Sequence, residues 1–220
     1  MVMGLIAKML IMNQLKMEKG TISVKGINMS LFPDFLVAEM ADYFRRENEL
    51  DRFYLLSWLW NYILVGQFSK KFNLETPQEI YKVGMDFGQA MGIGIYKTAE
   101  YVAGRYTYFK IPNNPFVKFL DHFPDGPVDY FISGCMAGGG CWVHDSICQN
   151  VELKCQHDGA RACEFVTGTK EELKKRGIWE TAKERYNLKK VLPIQKKIFK
   201  KSPMKANEIM KKFIPKIRKL

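Results

Sequence analysis

The chain lacks any uninterrupted apolar run of roughly 18 or more residues, the length a helix needs to span a bilayer. No membrane span is expected. Its first stretch, MVMGLIAKMLIM, has no basic segment ahead of it and no small-residue cleavage site after it, and Lys8 interrupts it. That argues against a secretory signal and for a structured segment of a cytoplasmic protein. An even disulfide framework is also missing. The five cysteines, at 135, 141, 148, 155 and 163, are an odd and clustered set. Such a set fits metal binding or reduced thiols better than disulfides. Internal repeats and low-complexity segments are absent. So is a dinucleotide fingerprint. Gly92-Ile93-Gly94 falls late in an expected helix, not between a strand and a helix start.

Residues 1–188 lack net charge. The chain carries +11 overall, and residues 189–220 hold twelve Lys or Arg against one acid, Glu208. The high pI therefore describes a tail and is no nucleic-acid footprint of the whole protein. The organisation expected is a domain over 1–188 and a basic amphipathic C-terminal tail over 189–220. In the tail Ile194, Ile198, Phe199, Ile209, Phe213 and Ile217 alternate with lysines, and Pro193, Pro203 and Pro215 cut it into short pieces. It can lie on the protein with its lysines in water, on a partner subunit, on anionic lipid or on nucleic acid. Packing on the protein is the leading choice.

What is present is a chain that is 47% hydrophobic and 13% aromatic, with 12 methionines. Large adaptable side chains of this kind fill cores and line apolar pockets. Residues 9–29 read as two strands around Glu18-Lys19-Gly20. Pro33 suits the first turn of a helix capped by Ser30, and residues 49–72 form a helix apolar on most sides. Thr76-Pro77-Gln78-Glu79 is a capping-box start, and the helix after it is expected to run to about Val102. Gly84, Gly88 and Gly92 share one of its faces, for close packing or for room beside a ligand. A strand follows at 106–111. A short helix is expected from Asn114-Pro115 to about Phe123, another over 128–145, and one more after the cap Thr169. Candidate pocket walls are Trp58, Tyr62, Met85, Met91, Tyr106, Tyr108 and Trp142. Each is an equally good core residue.

Residues 151–166 read as a hairpin. Val151, Leu153 and Cys155 alternate with Glu152 and Lys154, and the return strand begins near Cys163. Asp158-Gly159 supplies the turn. Cysteines at the two ends of a tight hairpin come close, as in structural zinc sites. Glu152 is three residues before Cys155, and positions three apart on a regular strand face opposite sides. They can share a metal only if the strand bulges or turns. His144, Cys148, Cys141, His157 and Asp129 are further donors, and small buried hydrophobic cysteines are the plain alternative.

The pattern Gly134…Glu152-x-x-Cys155-x3-Gly159-x3-Cys163-x-Phe165 resembles the C-terminal signature of the vinyl-4-reductase domain family. The chain is similar in particular to its archaeal, methanogen-type hydrocarbon-binding members, over about residues 15–168. The resemblance implies an α/β (α+β) ligand-binding fold: an antiparallel sheet with helices packed on it, shared with nitric-oxide-signalling and vesicle-tethering relatives. It also implies a homodimer and a pocket between helices and sheet. In phenol-sensing relatives zinc is held by a cysteine, a glutamate and two further cysteines. Glu152, Cys155 and Cys163 match three of these, and Asp129 falls at the fourth. Cys135, Cys141 or His144 are alternative fourth ligands. The zinc would be structural, closing the hairpin over the pocket. No open coordination position or general base is identifiable, and Glu164 is unsupported in that role.

Three functions follow as expectations. The first is a sensor or carrier of an apolar, hydrocarbon or aromatic small molecule. The second is a reductase, or an accessory to one, acting on a vinyl group of a tetrapyrrole. No nicotinamide or flavin site is visible, so the balance leans away from an enzyme. The third is a scaffold subunit. Nucleic-acid binding is a weaker option, confined to the tail.

Overall fold

In the computed structural model, residues 15–18, 21–29, 33–120, 123, 129–199 and 206–218 are described. The N-terminal strands β1 (Leu15–Glu18), β2 (Thr21–Val24) and β3 (Ile27–Met29) form a small antiparallel sheet. Lys25 and Gly26 both have positive φ, as a two-residue hairpin turn requires. The expected turn at Lys19-Gly20 and the expected cap Ser30 lie outside the described residues.

Helix α1 (Asp34–Arg46) follows Pro33 and buries Val37, Ala38 and Ala41. Helix α2 (Leu50–Phe72) is buried on nearly every side, because its apolar residues fill more than one stripe. It ends where Asn73 turns left-handed. Helix α3 (Pro77–Ala90) opens on the expected capping box. Thr76 Oγ1 accepts from Glu79 N–H at 3.2 Å, and Glu79 Oε2 accepts from Thr76 N–H at 3.0 Å.

The expected helix to Val102 stops twelve residues early. Gly92 (φ 77°) and Gly94 (φ 120°) leave helical space, and the chain enters strand β4 (Lys97–Val102), where β-branched and aromatic side chains favour extension. Strand β5 (Tyr106–Ile111) pairs with it. The expected helix after Pro115 is a single 3-10 turn over Val117–Phe119.

Helix α4 (Tyr130–Val143) leads to strands β6 (Cys148–Lys154) and β7 (Cys163–Thr169). The four-stranded sheet is antiparallel, in the order β4-β5-β7-β6. Helices α5 (Lys170–Lys175), α6 (Trp179–Arg185), α7 (Leu188–Phe199) and α8 (Ala206–Ile217) complete the chain. The architecture is α+β, antiparallel sheets with helices packed on them.

Helix α4 lies against α2 with almost no side chain between the two backbones. A Cβ at Gly138 would stand 2.1 Å from Trp58 O, and one at Gly134 would stand 2.5 Å from Tyr54 O. On another side of α4, a Cβ at Gly140 would meet Thr167 at 2.5 Å. Glycines thus let one helix approach both a second helix and the sheet.

The C-terminal segment is part of this core. Leu188, Val191, Ile198, Ile209, Phe213 and Ile217 are buried in one cluster with Tyr54, Trp58 and Tyr62 of α2. The division drawn at 188 falls at the first residue of α7. Pro193 and Pro215 do not cut the tail as expected. Both sit inside helices and are exposed, so a carbonyl left without its helical donor can turn to water. A buried relay ties α7 to the sheet and to α2. Tyr54 Oη donates to Gln149 Oε1 and Gln149 Nε2 donates to Gln195 Oε1, both at 2.7 Å.

Candidate ligand cavity and metal centre

Strand β6 is buried on both faces from Cys148 to Glu152. Between Glu152 and Lys154 the register against β7 shifts by one residue. Glu152 is buried, Leu153 and Lys154 are both exposed, and Cys155 is buried again. The bulge makes a three-residue spacing point to one side, as two-versus-one pairing does. The condition that the sequence imposed on a Glu152–Cys155 site is met.

One donor atom each from Glu152, Cys155 and Cys163 lie within 4.8 Å of one another, all buried. The two sulfurs are 3.9 Å apart. Cys163 Sγ accepts from Gln156 N–H at 3.3 Å and from Asn114 Nδ2 at 3.6 Å. Glu152 Oε2 accepts from Asp129 N–H at 3.0 Å, and its Oε1 is buried without a partner. Burial and then the Asp129 charge hold the Glu152 carboxyl well above the usual carboxylate range. The Cys155 thiol is raised first by its hydrogen bond with Cys163 and then by burial. Burial pushes Asp129 up to about 6. Among the described residues neither carboxylate forms an ion pair. Two thiols and a carboxyl with an orphaned oxygen suit a divalent cation, which favours their anionic forms, and the donor set suits zinc.

Asp129 stands beside this trio. Its Oδ1 caps α4 by accepting from Ile132 N–H at 2.8 Å, and its Oδ2 accepts from Asn114 Nδ2 at 2.7 Å. Cys135, Cys141, Cys148 and His144 do not gather into the cluster. His144 Nε2 bonds Thr107 Oγ1 at 3.2 Å instead.

A cavity of about 160 Å³ lies between α2, α3, α4 and the sheet. Its floor is Thr107, Phe109 and Thr167. Its walls include Trp60, Leu64 and Phe68 of α2, Met85, Phe87 and Met91 on and just beyond α3, and Phe131 and Met136 of α4. Gly84 and Gly88 lie on the same wall. A Cβ at Gly84 would meet nothing within 4 Å, so that glycine leaves room in the cavity instead of permitting helix contact. The Gly88 position differs, since a Cβ there would stand 3.1 Å from Tyr96.

Of the seven sequence-named wall residues, the cavity contains Met85 and Met91. Trp58 and Tyr62 stack on each other in the cluster shared with the C-terminal helices. Trp142 donates from Nε1 to Tyr62 O at 2.8 Å and covers Gly66. Tyr106 and Tyr108 occupy the opposite parity of β5 from Thr107 and Phe109. Tyr108 Oη donates to Glu164, and Tyr106 lies under Arg176. The period of two could have selected Phe109 once its face was known, whereas nothing in the sequence marks Trp60 or Phe131 over their neighbours. The hairpin does not close the cavity as expected, because no residue from 148 to 163 lines it. The two sites meet indirectly, through a core cluster holding Phe109, Phe116, Cys155, Cys163 and Phe165.

An antiparallel sheet with helices enclosing an apolar cavity defines the class of fold. A solved structure shares it. The chain superposes with a TM-score of 0.65 on the phenol-responsive sensory domain of the transcription activator PoxR, crystallised with phenol. The match covers 80% of this chain and 94% of that one at 13% identity. No family model matches the chain, and no curated protein does. Among the described residues no helix is long and apolar enough to cross a membrane.

Proposed function

We propose that this protein binds an apolar small molecule, a single aromatic ring or a short hydrocarbon, and acts as a sensor or carrier. The cavity carries this reading. Its volume of about 160 Å³ is on the scale of a dry cavity that holds one benzene, ~150 Å³. Its lining is aromatic and Met-rich, with few polar groups to fix orientation, as in small-molecule pockets generally. The fold it shares with a phenol-responsive domain supports the same reading.

The hairpin belongs to the reading as a structural zinc site held by Glu152, Cys155 and Cys163, with Asp129 adjacent. Bound zinc would tie the two hairpin ends together and contribute folding energy. The convergence of these residues also supports membership of the vinyl-4-reductase domain family, in its hydrocarbon-binding branch.

Thermal unfolding with phenol, toluene and hexane as probes tests the cavity. A bound probe at one hundred times its Kd stabilises the protein by about 2.7 kcal/mol. The Gly84→Leu variant fills open space without a backbone clash. It is expected to fold and to lose that stabilisation. If no probe shifts the wild type, the cavity is not a binding site. Elemental analysis of natively purified protein tests the hairpin, and sub-stoichiometric zinc and iron would sink the metal site.

A further inference from the structure

Helices α7 and α8 are two-faced. On α7, Val191, Gln195 and Ile198 are buried, while Lys189, Lys190, Lys196 and Lys197 are exposed. On and just after α8, Ile209, Phe213 and Ile217 are buried, while Lys211, Lys212, Lys216 and Arg218 are exposed. The buried faces of both helices join one hydrophobic cluster with α2, and both turn their cations outward. Of these eight cations, among the described residues, Lys190 alone is in an ion pair, 3.7 Å from Asp51. The whole net charge of the protein sits in this segment.

We infer that the outward face of α7 and α8 binds the phosphate backbone of double-stranded DNA without reading its sequence. Three observations select this occupant. The first is that the apolar faces are committed to the core. An amphipathic helix holds a membrane by inserting that face, and here Met210 is the one exposed large hydrophobic residue on the two helices. The second is composition. Seven of the eight exposed cations are lysines, point charges suited to phosphate contacts, whereas base reading favours the bidentate fork of arginine. The third is density. The 12 residues of α7 extend about 18 Å, and duplex DNA presents one charge per ~1.7 Å of axis. That length of duplex offers about ten phosphates to the lysines.

Fluorescence anisotropy with a labelled mixed-sequence duplex, across roughly 50–200 mM salt, tests the inference. The comparison variant carries Lys→Gln at 189, 196, 197, 211 and 212. These side chains are exposed, so its melting temperature and near-ultraviolet circular dichroism are expected to match wild type. Deleting the segment is not a usable test, because its other face is core. Wild type is expected to bind with a log–log salt slope of about −5 or steeper, and two unrelated sequences should bind within about threefold. The variant's slope should be shallower by about 4, with affinity at ~50 mM salt lower by about 100-fold or more. The inference is overturned if wild type does not bind duplex at ~50 mM salt or if the variant keeps the wild-type slope. It is equally overturned if one sequence is preferred more than tenfold. Binding to phosphatidylserine vesicles in the absence of duplex binding assigns the face to lipid and overturns it as well.

Discussion

Arg185 donates from Nη1 to the carbonyl of Glu152 at 2.9 Å. Strand β6 is the edge of its sheet, and this carbonyl belongs to the last residue paired with β7 before the register shifts past Leu153. The guanidinium therefore satisfies a backbone acceptor beside the bulge and ties it to the end of α6. Since the bulge is what brings Glu152 and Cys155 to one side, Arg185 is a positioning residue for the proposed zinc site. Arg185→Met is expected to weaken zinc binding about tenfold, the lower end of outer-shell effects. Competition with a chromophoric chelator measures it. Equal affinity would mean that the strand holds its bulge without Arg185.

His144 is a second residue with a testable consequence. Burial pulls its pKa from 6.5 to about 4, so the folded state prefers the neutral ring. The unfolded chain binds the proton first as pH falls. The stability linked to His144 is therefore complete above pH ~6.5 and is lost as pH drops toward ~4. A shift of this size corresponds to roughly 3 kcal/mol as an upper bound. Urea midpoints of wild type should fall over that window, and those of His144→Asn should fall less. Parallel curves would remove His144 as the cause.

At the scale of elements, the close contact of α2 and α4 is the most demanding feature of the fold. Gly138 has the Trp58 carbonyl where its Cβ would be, and backbone cannot step aside as a side-chain tip can. Gly138→Ala gains helix propensity of about 1 kcal/mol but must push two helices apart, at a cost of about 1–3 kcal/mol or more. A net loss of stability is expected, read as a lower denaturant midpoint. Gly84→Ala has the opposite sign, a gain approaching 1 kcal/mol, because open space surrounds that position. The two glycines look alike in sequence, each in the interior of a helix with further glycines nearby. What stands opposite them decides.

At the scale of the whole molecule, the C-terminal helices complete the core. Tyr186 stacks on Tyr54 at 3.9 Å between ring centroids, and Gln195 closes the relay to Gln149 and Tyr54. Truncation after Asn187 would leave Tyr54 its Tyr186 stack but uncover the α2 face that carries Trp58 and Tyr62, and each large apolar side chain uncovered costs about 1.5–3 kcal/mol. The truncated chain is expected to lose near-ultraviolet circular dichroism and cooperative melting. A cooperative, wild-type-like transition would show that 188–220 is an independent appendage after all.

Several of these features were legible in the residues alone. The capping box at Thr76, the long apolar α2 and the hairpin around Gly159 follow from local chemistry, which neighbouring residues carry by themselves, whereas Glu152 joined Cys155 and Cys163 through the family resemblance, against the parity of a regular strand. The end of α3 was misplaced because glycines tolerated in a helix and glycines that leave it differ only in φ. The cavity was legible in two of the seven wall residues named from the sequence. Met85 and Met91 line it, whereas Trp58, Tyr62, Tyr106, Tyr108 and Trp142 face elsewhere, because composition names large side chains and only packing chooses their direction. The sequence by itself determined the segregation of charge, the amphipathic stripes and the spacing of the thiols. Only the tertiary structure decided that the basic segment is core on one side, that a bulge joins Glu152 to Cys155, and that a cavity is left between α3 and the sheet. Each of these depends on what lies across from a residue, and that partner is distant in the chain.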